Sequence, residues 1–199
     1  MRRVVVLFIF AICSVTSFSQ TQLFLRLTNP TITIRLGNTY LDFDIEVRAA
    51  DPGYYARAIQ ANFWCNTGVF NGTPSVAGTP KGISAYLDAN PGLAYNITPT
   101  GTSDGRINIT VTAKQLDWIS AGGTLADWYC EVSTSWQPLV TCRARIYTPA
   151  SGISDLTFAR SLMLTQELYQ NPSGINGLPF TMLNPSSFED DVSSDFDKN

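Results

Sequence analysis

Asp42, Asp44 and Glu46 stand at alternate positions, so an extended chain puts their carboxyl groups on one face. Paired carboxylates can act as general acid and base, or cleave glycosides when a cleft holds two of them about 5 to 10 Å apart. Here the acids alternate with Leu41, Phe43, Ile45 and Val47, the pattern of a strand with one wet face. The three acids therefore read as a solvated sheet face. The sequence contains no histidine. That removes the commonest general base and the commonest transition-metal ligand, and with them Ser-His-Asp and Cys-His catalysis. Near the C-terminus, Glu189, Asp190, Asp191, Asp195 and Asp197 lack the spaced Asp/Asn and glycine of a calcium loop. The chain reads as a non-enzyme, with no catalytic residue, cofactor or metal expected.

Binding chemistry is better represented. Gln60, Asn62 and Trp64 alternate, which sets two amides and an indole on one strand face. Such a face can stack on a sugar ring and bond its hydroxyls. The plainer alternative is that the loop after Trp64 covers the ring. Trp136, at an expected turn tip, and Trp118 are weaker candidates of the same kind, and Trp128 is assigned to the core. Asn71, Asn96 and Asn108 each begin an N-glycan acceptor triplet, which matters only in a host with that machinery.

Cys65, Cys130 and Cys142 could cross-link the fold, because an exported chain meets an oxidising compartment. Ala126, Trp128, Cys130 and Val132 share one face of an expected strand, and Val140, Cys142, Ala144 and Ile146 share one face of another. A turn centred on Trp136 would set 128 opposite 144, 130 opposite 142 and 132 opposite 140, with Asp127 facing Arg145 outside. A Cys130–Cys142 bond would then be geometrically plausible and contribute about 3 kcal/mol. Cys65 also points inward and competes for either partner, so the pairing stays open.

The elements that must position these residues are mostly strands. Leu23 to Leu27 and Ile32 to Leu36 alternate, with a turn expected at Asn29-Pro30 and another at Gly37-Asn38. The strand of residues 41–49 organises the rest, Asp51-Pro52-Gly53 closes it, and Ile59, Ala61, Phe63 and Cys65 face inward on the next. Residues 66–82 read as a long surface loop, and Ile83, Ala85 and Leu87 as a short strand. Strands follow at 93–98 and 106–112 around the hairpin turn of residues 100–105, with one helical turn within 113–120. Leu156 to Phe158 and Leu162 to Tyr169 supply the last strands. The fold class is all-β, a two-sheet antiparallel β-sandwich.

Arg2 and Arg3, the apolar run Val4 to Val15 and the small residues Ser17 and Ser19 form a secretory signal, with cleavage expected after Ser19. Cys13 follows Ile12, where lipid attachment would need a small residue. The domain boundaries are then 1–19 for the signal, 20–180 for the sandwich and 181–199 for an acidic, disordered tail or linker. Without Arg2 and Arg3 the chain has 11 basic and 16 acidic residues. That balance, with no basic patch, argues against nucleic acid. No membrane span is expected once the signal is removed. A secreted or cell-surface protein follows, with an extracellular protein or a polysaccharide as partner, or with self-assembly through edge strands. Leu23 to Leu27 is the segment to watch for such pairing.

Residues Thr31 to Phe70 resemble the start of cohesin-like domains, within the superfamily of carbohydrate-binding-module-like β-sandwiches. The likeness lies in Tyr40 to Ala49 followed by Ala58 to Asn66, and continues through 105–112 and 123–130. The end of the signal, Phe18-Ser19-Gln20, is similar to those of Bacteroidetes-type secreted proteins. The resemblance implies a jelly roll of about nine strands and a non-catalytic binding or assembly role. The sequence shows no dockerin-type calcium repeat and no sorting domain.

Overall fold

The computed structural model describes residues 23–85, 95–114, 122, 124–147, 151–153, 155–159, 166–170, 181–183, 187–189 and 195–197. Apolar alternation drives the first hairpin. β1 (Leu23–Arg35) and β2 (Asn38–Ala49) pair antiparallel, with Leu25 opposite Val47 and Leu27 opposite Ile45. Leu23, Leu25, Leu27, Leu41, Phe43, Ile45 and Val47 are all 2% exposed or less. Each such side chain contributes about 1.5–3 kcal/mol through burial. The Asn29-Pro30 turn expected between two strands is instead a bulge within one strand. Asn29 adopts φ 54°, which its short polar side chain tolerates, and pairing resumes at Thr31 opposite Asp42.

The expected two-sheet antiparallel sandwich is the fold. One sheet runs β13 (Ser187–Glu189), β1, β2, β8 (Gln137–Ile146), β4 (Val76–Pro80). The other runs β12 (Thr181–Leu183), β11 (Gln166–Gln170), β3 (Tyr54–Trp64), β6 (Arg106–Ala113), β5 (Tyr95–Gly101). Two short strands, β7 (Cys130–Glu131) and β10 (Thr157–Phe158), add to β3. Phe43 of the first sheet meets Phe63 of the second edge-to-face, ring centres 5.5 Å apart, and Phe158 continues the stack at 6.3 Å. The sheets also close against each other at β4 and β5. A methyl built on Gly78 would stand only 2.5 Å from Ile97 Cγ2.

Several local expectations change. The stretch 66–82 is not a plain loop. Asn66 accepts from Gly68 N–H to cap the single turn α1 (Thr67–Phe70), and β4 follows as an edge strand. Residues 82–85 form a 3₁₀ turn, not a strand, and the Ser84 hydroxyl donates to Leu139 O. The largest correction concerns residues 125–146. Leu125–Trp128 is a helical turn, α2, whose Asp127 carboxylate accepts from Thr124 N–H and hydroxyl. β7 then pairs with β3, while β8 pairs with β2 and β4. The chain crosses between sheets at residues 132–136, so the hairpin register 130 opposite 142 does not form. Cys130 and Cys142 lie in different sheets, and Cys65, Cys130 and Cys142 are all free. Arg145 donates to Asn38 rather than facing Asp127. Trp128 is half-buried, its indole N–H donating to Gly122 O.

Within 181–199, β12 pairs with β11, β13 runs parallel to β1, and β14 (Asp195–Asp197) pairs with β9 (Ser151–Ile153). The signal segment, the expected helical turn within 113–120 beyond residue 114, and Trp118 lie outside the described residues.

Candidate functional site

Strand alternation turns Gln60, Asn62 and Trp64 to the outer face of the second sheet, opposite the buried row of Ile59, Ala61 and Phe63. β6 lies beside them with Trp64 opposite Arg106, Asn62 opposite Asn108 and Gln60 opposite Thr110. β5 extends the rows with Thr100 opposite Asn108 and Thr98 opposite Thr110. Asn108 Oδ1 accepts from Gln60 Nε2 at 3.3 Å and from Thr110 Oγ1 at 3.2 Å. Asn62 is only 4% exposed, whereas Trp64 is 39% exposed. The Arg106 guanidinium lies over the indole, 5.5 Å from the ring centre, and is held from the other side by Asp104 at 2.7 Å. The Thr102 hydroxyl first, and Arg106 after it, hold the Asp104 carboxyl below the usual range. β3, β5 and β6 carry no acidic residue, so this face offers amides, hydroxyls, an indole and guanidinium groups.

Trp136 is on the other side of the sandwich. It lies half-buried on the outer face of the first sheet, with Arg26 4.4 Å and Arg48 5.0 Å from its ring centre. Arg48 also covers Phe24 at 3.9 Å. The structure thus groups Trp64, Asn62 and Gln60 but separates Trp136 from them. The three acids of β2 share this first face as the sequence implies, yet they are paired rather than simply solvated. Arg143 holds Asp42 through two bonds of 2.7 Å, and Arg26 holds Glu46 at 2.6 Å. Asp44 is 4% exposed and accepts from Lys81, Thr141 and Asn29. Each acid has its own cation, so the row is a brace across β1, β2 and β8 rather than an acid/base pair.

No family model matches this sequence. No curated protein matches it either. A solved structure is similar: the second type II cohesin module from the cellulosomal adaptor ScaA scaffoldin of Acetivibrio cellulolyticus. The TM-score is 0.48 at 8% identity, covering 92% of this chain and 98% of that one.

The residues that alternation alone did not single out are Arg106 and Thr110. Their signal was present, since Arg106, Asn108, Thr110 and Thr112 form the polar half of a clean alternation. What the sequence lacked was the pairing of β6 with β3. Two open clefts, each about 240 Å³, flank Glu131, one beside Pro52, Ser133 and Thr134 and the other beside Tyr55, Ala126, Tyr129 and Cys130. Both are below the usual size of a small-molecule site. Among the described residues no helix is long and apolar enough to cross a membrane, and no group of three or more His, Cys, Asp or Glu side chains could hold a metal ion.

Proposed function

We propose that the chain is an extracellular, non-catalytic module that binds a protein partner through the outer face of β3, β6 and β5. The observation that carries this reading is the Trp64–Arg106 pair on a face whose three strands carry no acidic residue, with Asp104 of the adjoining turn already paired to Arg106. Tryptophan and arginine are the residues most enriched at binding hot spots, and a neutral amide and hydroxyl surround can bond a partner without burying unpaired charge. A sugar platform has less support, because stacking needs an open ring face and Arg106 lies over this one. Fibre growth through edge strands also has less support. β4 and β5 carry Pro80 and Pro99 and pack on each other, and β13 lies along Phe24 to Arg26 of β1.

Capture from the extracellular fraction with wild-type chain, Trp64→Ala and Arg106→Ala as baits tests the reading. One protein retained by the wild type and lost by both variants is expected. Tryptophan fluorescence titrated with polysaccharides should not move. Saturable quenching that vanishes in Trp64→Ala would transfer the site to carbohydrate, and capture unchanged in both variants would reject this face.

A further inference from the structure

We propose that the tip of the β1–β2 hairpin is a membrane anchor that inserts into an anionic phospholipid bilayer. The turn joins Arg35 to Asn38 through two residues, Leu36 at φ 49° and Gly37 at φ 74°. Positive φ at both central positions is the type I′ arrangement, which selects Asn, Asp or Gly. Gly37 fits. Leu36 does not, because a branched apolar side chain gains nothing locally that offsets left-handed backbone. It is also 101% exposed, so no packing inside the chain accounts for it. A residue that is both strained and fully wet points to a role outside the fold.

Leu36 is not alone. Ile34 is 66% exposed and Tyr147 is 37% exposed. They lie at the same end of the first sheet with β2 between them: Ile34 pairs with Thr39, and Thr39 pairs with Ile146, so Tyr147 follows one residue beyond the end of β8. Ile34 follows the inward row of β1, where Ile32 is still half-buried, so the hairpin carries the apolar row past the end of the sandwich. Gly37 has open space around it, and Arg35 is exposed. The result is a convex finger rather than a groove or a flat patch.

Its charge names the occupant. Arg35 and Arg145 flank the apolar residues, Arg145 lying 4.6 Å from the Tyr147 ring centre. Among the described residues no carboxylate is shown paired with either arginine. The chain as a whole carries a net charge of −3. An anionic surface would therefore attract this end and repel the rest, which orients the approach. Aliphatic side chains at the apex, with arginines and a tyrosine at the same end of the sheet, match the layers of a bilayer interface. A bilayer also accepts a convex apolar tip with no shape of its own to match. A protein partner would need a dedicated pocket, and the exposed apolar surface here is far smaller than a stable interface requires.

Leu36→Asn tests this cleanly, since asparagine is the residue the turn prefers. The chain from Gln20 onward, the form expected after cleavage, and its Leu36→Asn variant are floated with vesicles of phosphatidylcholine alone and of phosphatidylcholine with 30% phosphatidylglycerol, at about 0.1 M salt. Neither protein then carries the apolar run of residues 4–15, which would anchor both by itself. The wild type is expected to bind the anionic vesicles, to bind neutral ones at least tenfold less, and to be released by high salt. Leu36→Asn is expected to lose at least tenfold in anionic binding while its melting temperature holds or rises. Leu36→Trp should bind and show a blue-shifted emission with anionic vesicles. Equal binding of wild type and Leu36→Asn, or no wild-type binding to anionic vesicles, overturns the proposal. So does a loss of self-association in Leu36→Asn without any vesicle binding, which would assign the finger to a second copy of the chain.

Discussion

Lys81 sets its Nζ 2.6 Å from Asp44 Oδ2, bringing a half-exposed cation onto a carboxylate whose side chain is only 6% exposed. Burial on its own would raise the Asp44 pKa. The hydrogen bonds from Lys81, Thr141 and Asn29, with the Lys81 charge behind them, outweigh it and hold the carboxyl below the usual aspartate range. The folded chain thus binds fewer protons here than the unfolded chain on the acid side. Stability is full above the ordinary aspartate pKa and is lost as pH falls from about 5 through the lowered folded value. Asp44→Asn should flatten that acid limb when melting temperature is followed against pH. At neutral pH it should cost about 1–3 kcal/mol, because Lys81 loses its partner and an amide replaces a charged acceptor. An unchanged acid limb in the variant would remove Asp44 from the account.

The thiols give a second expectation. Cys142 lies on the inner face of β8 opposite Phe43, and burial pushes its thiol well up. Burial likewise pushes Cys65 up to about 12. The thiolate is the reactive form, so both should resist a thiol reagent until the chain unfolds. Cys130, half-buried on β7, should react first. Cys130→Ala should change stability by no more than about 0.5–1 kcal/mol, and reductant should leave the melting temperature unchanged. A cross-link of Cys130 would instead show a loss of about 3 kcal/mol on either treatment.

Strand faces were legible because they depend on neighbours in sequence. Alternation alone located the buried row of β2 and the shared outer face of Gln60, Asn62 and Trp64. Sheet partners were not legible, because they depend on where the chain crosses. Ser133 to Pro138 reads as a hairpin turn centred on Trp136, yet Val132 donates to Tyr54 O in one sheet while Gln137 pairs with Val47 in the other. That one crossing undid the expected disulfide and the Asp127–Arg145 pair together, while Trp128, half-buried on α2, still packs against the core. β4 was hidden for another reason. An edge strand built from Val76, Ala77, Gly78, Thr79 and Pro80 needs no alternation when its neighbours do the burying. The finger at Leu36 was missed because alternation reports which residues face a core, not whether a second sheet reaches far enough to cover them.

The aromatic stack should be the most sensitive point of the core. Phe63 is 0% exposed and touches Phe43 and Phe158 edge-on from one position. Phe63→Ala should cost about 3–5 kcal/mol in chemical denaturation, since the two sheets cannot collapse into the space without breaking β3–β6 register. Phe63→Leu should cost clearly less. An equal loss for the two would mean that ring geometry contributes more than volume at this site.

Gly78 offers a test of how the two sheets close. It pairs with Cys142 on β8, and a methyl on it would meet Ile97 Cγ2 of β5 at 2.5 Å, inside contact distance. Ile97 is branched at Cβ and lies on a strand, so its methyl cannot swing away without leaving a preferred rotamer or moving β5. Gly78→Ala should therefore destabilise by about 1–3 kcal/mol, despite the general gain from replacing glycine in a strand. Ile97→Ala removes the obstructing methyl, so the double variant should be more stable than the sum of the single changes implies. A coupling of about 0.5 kcal/mol or more between the two positions is expected. Strict additivity would mean that β4 and β5 do not approach as closely in solution, and the closed side of the sandwich would open to edge pairing after all.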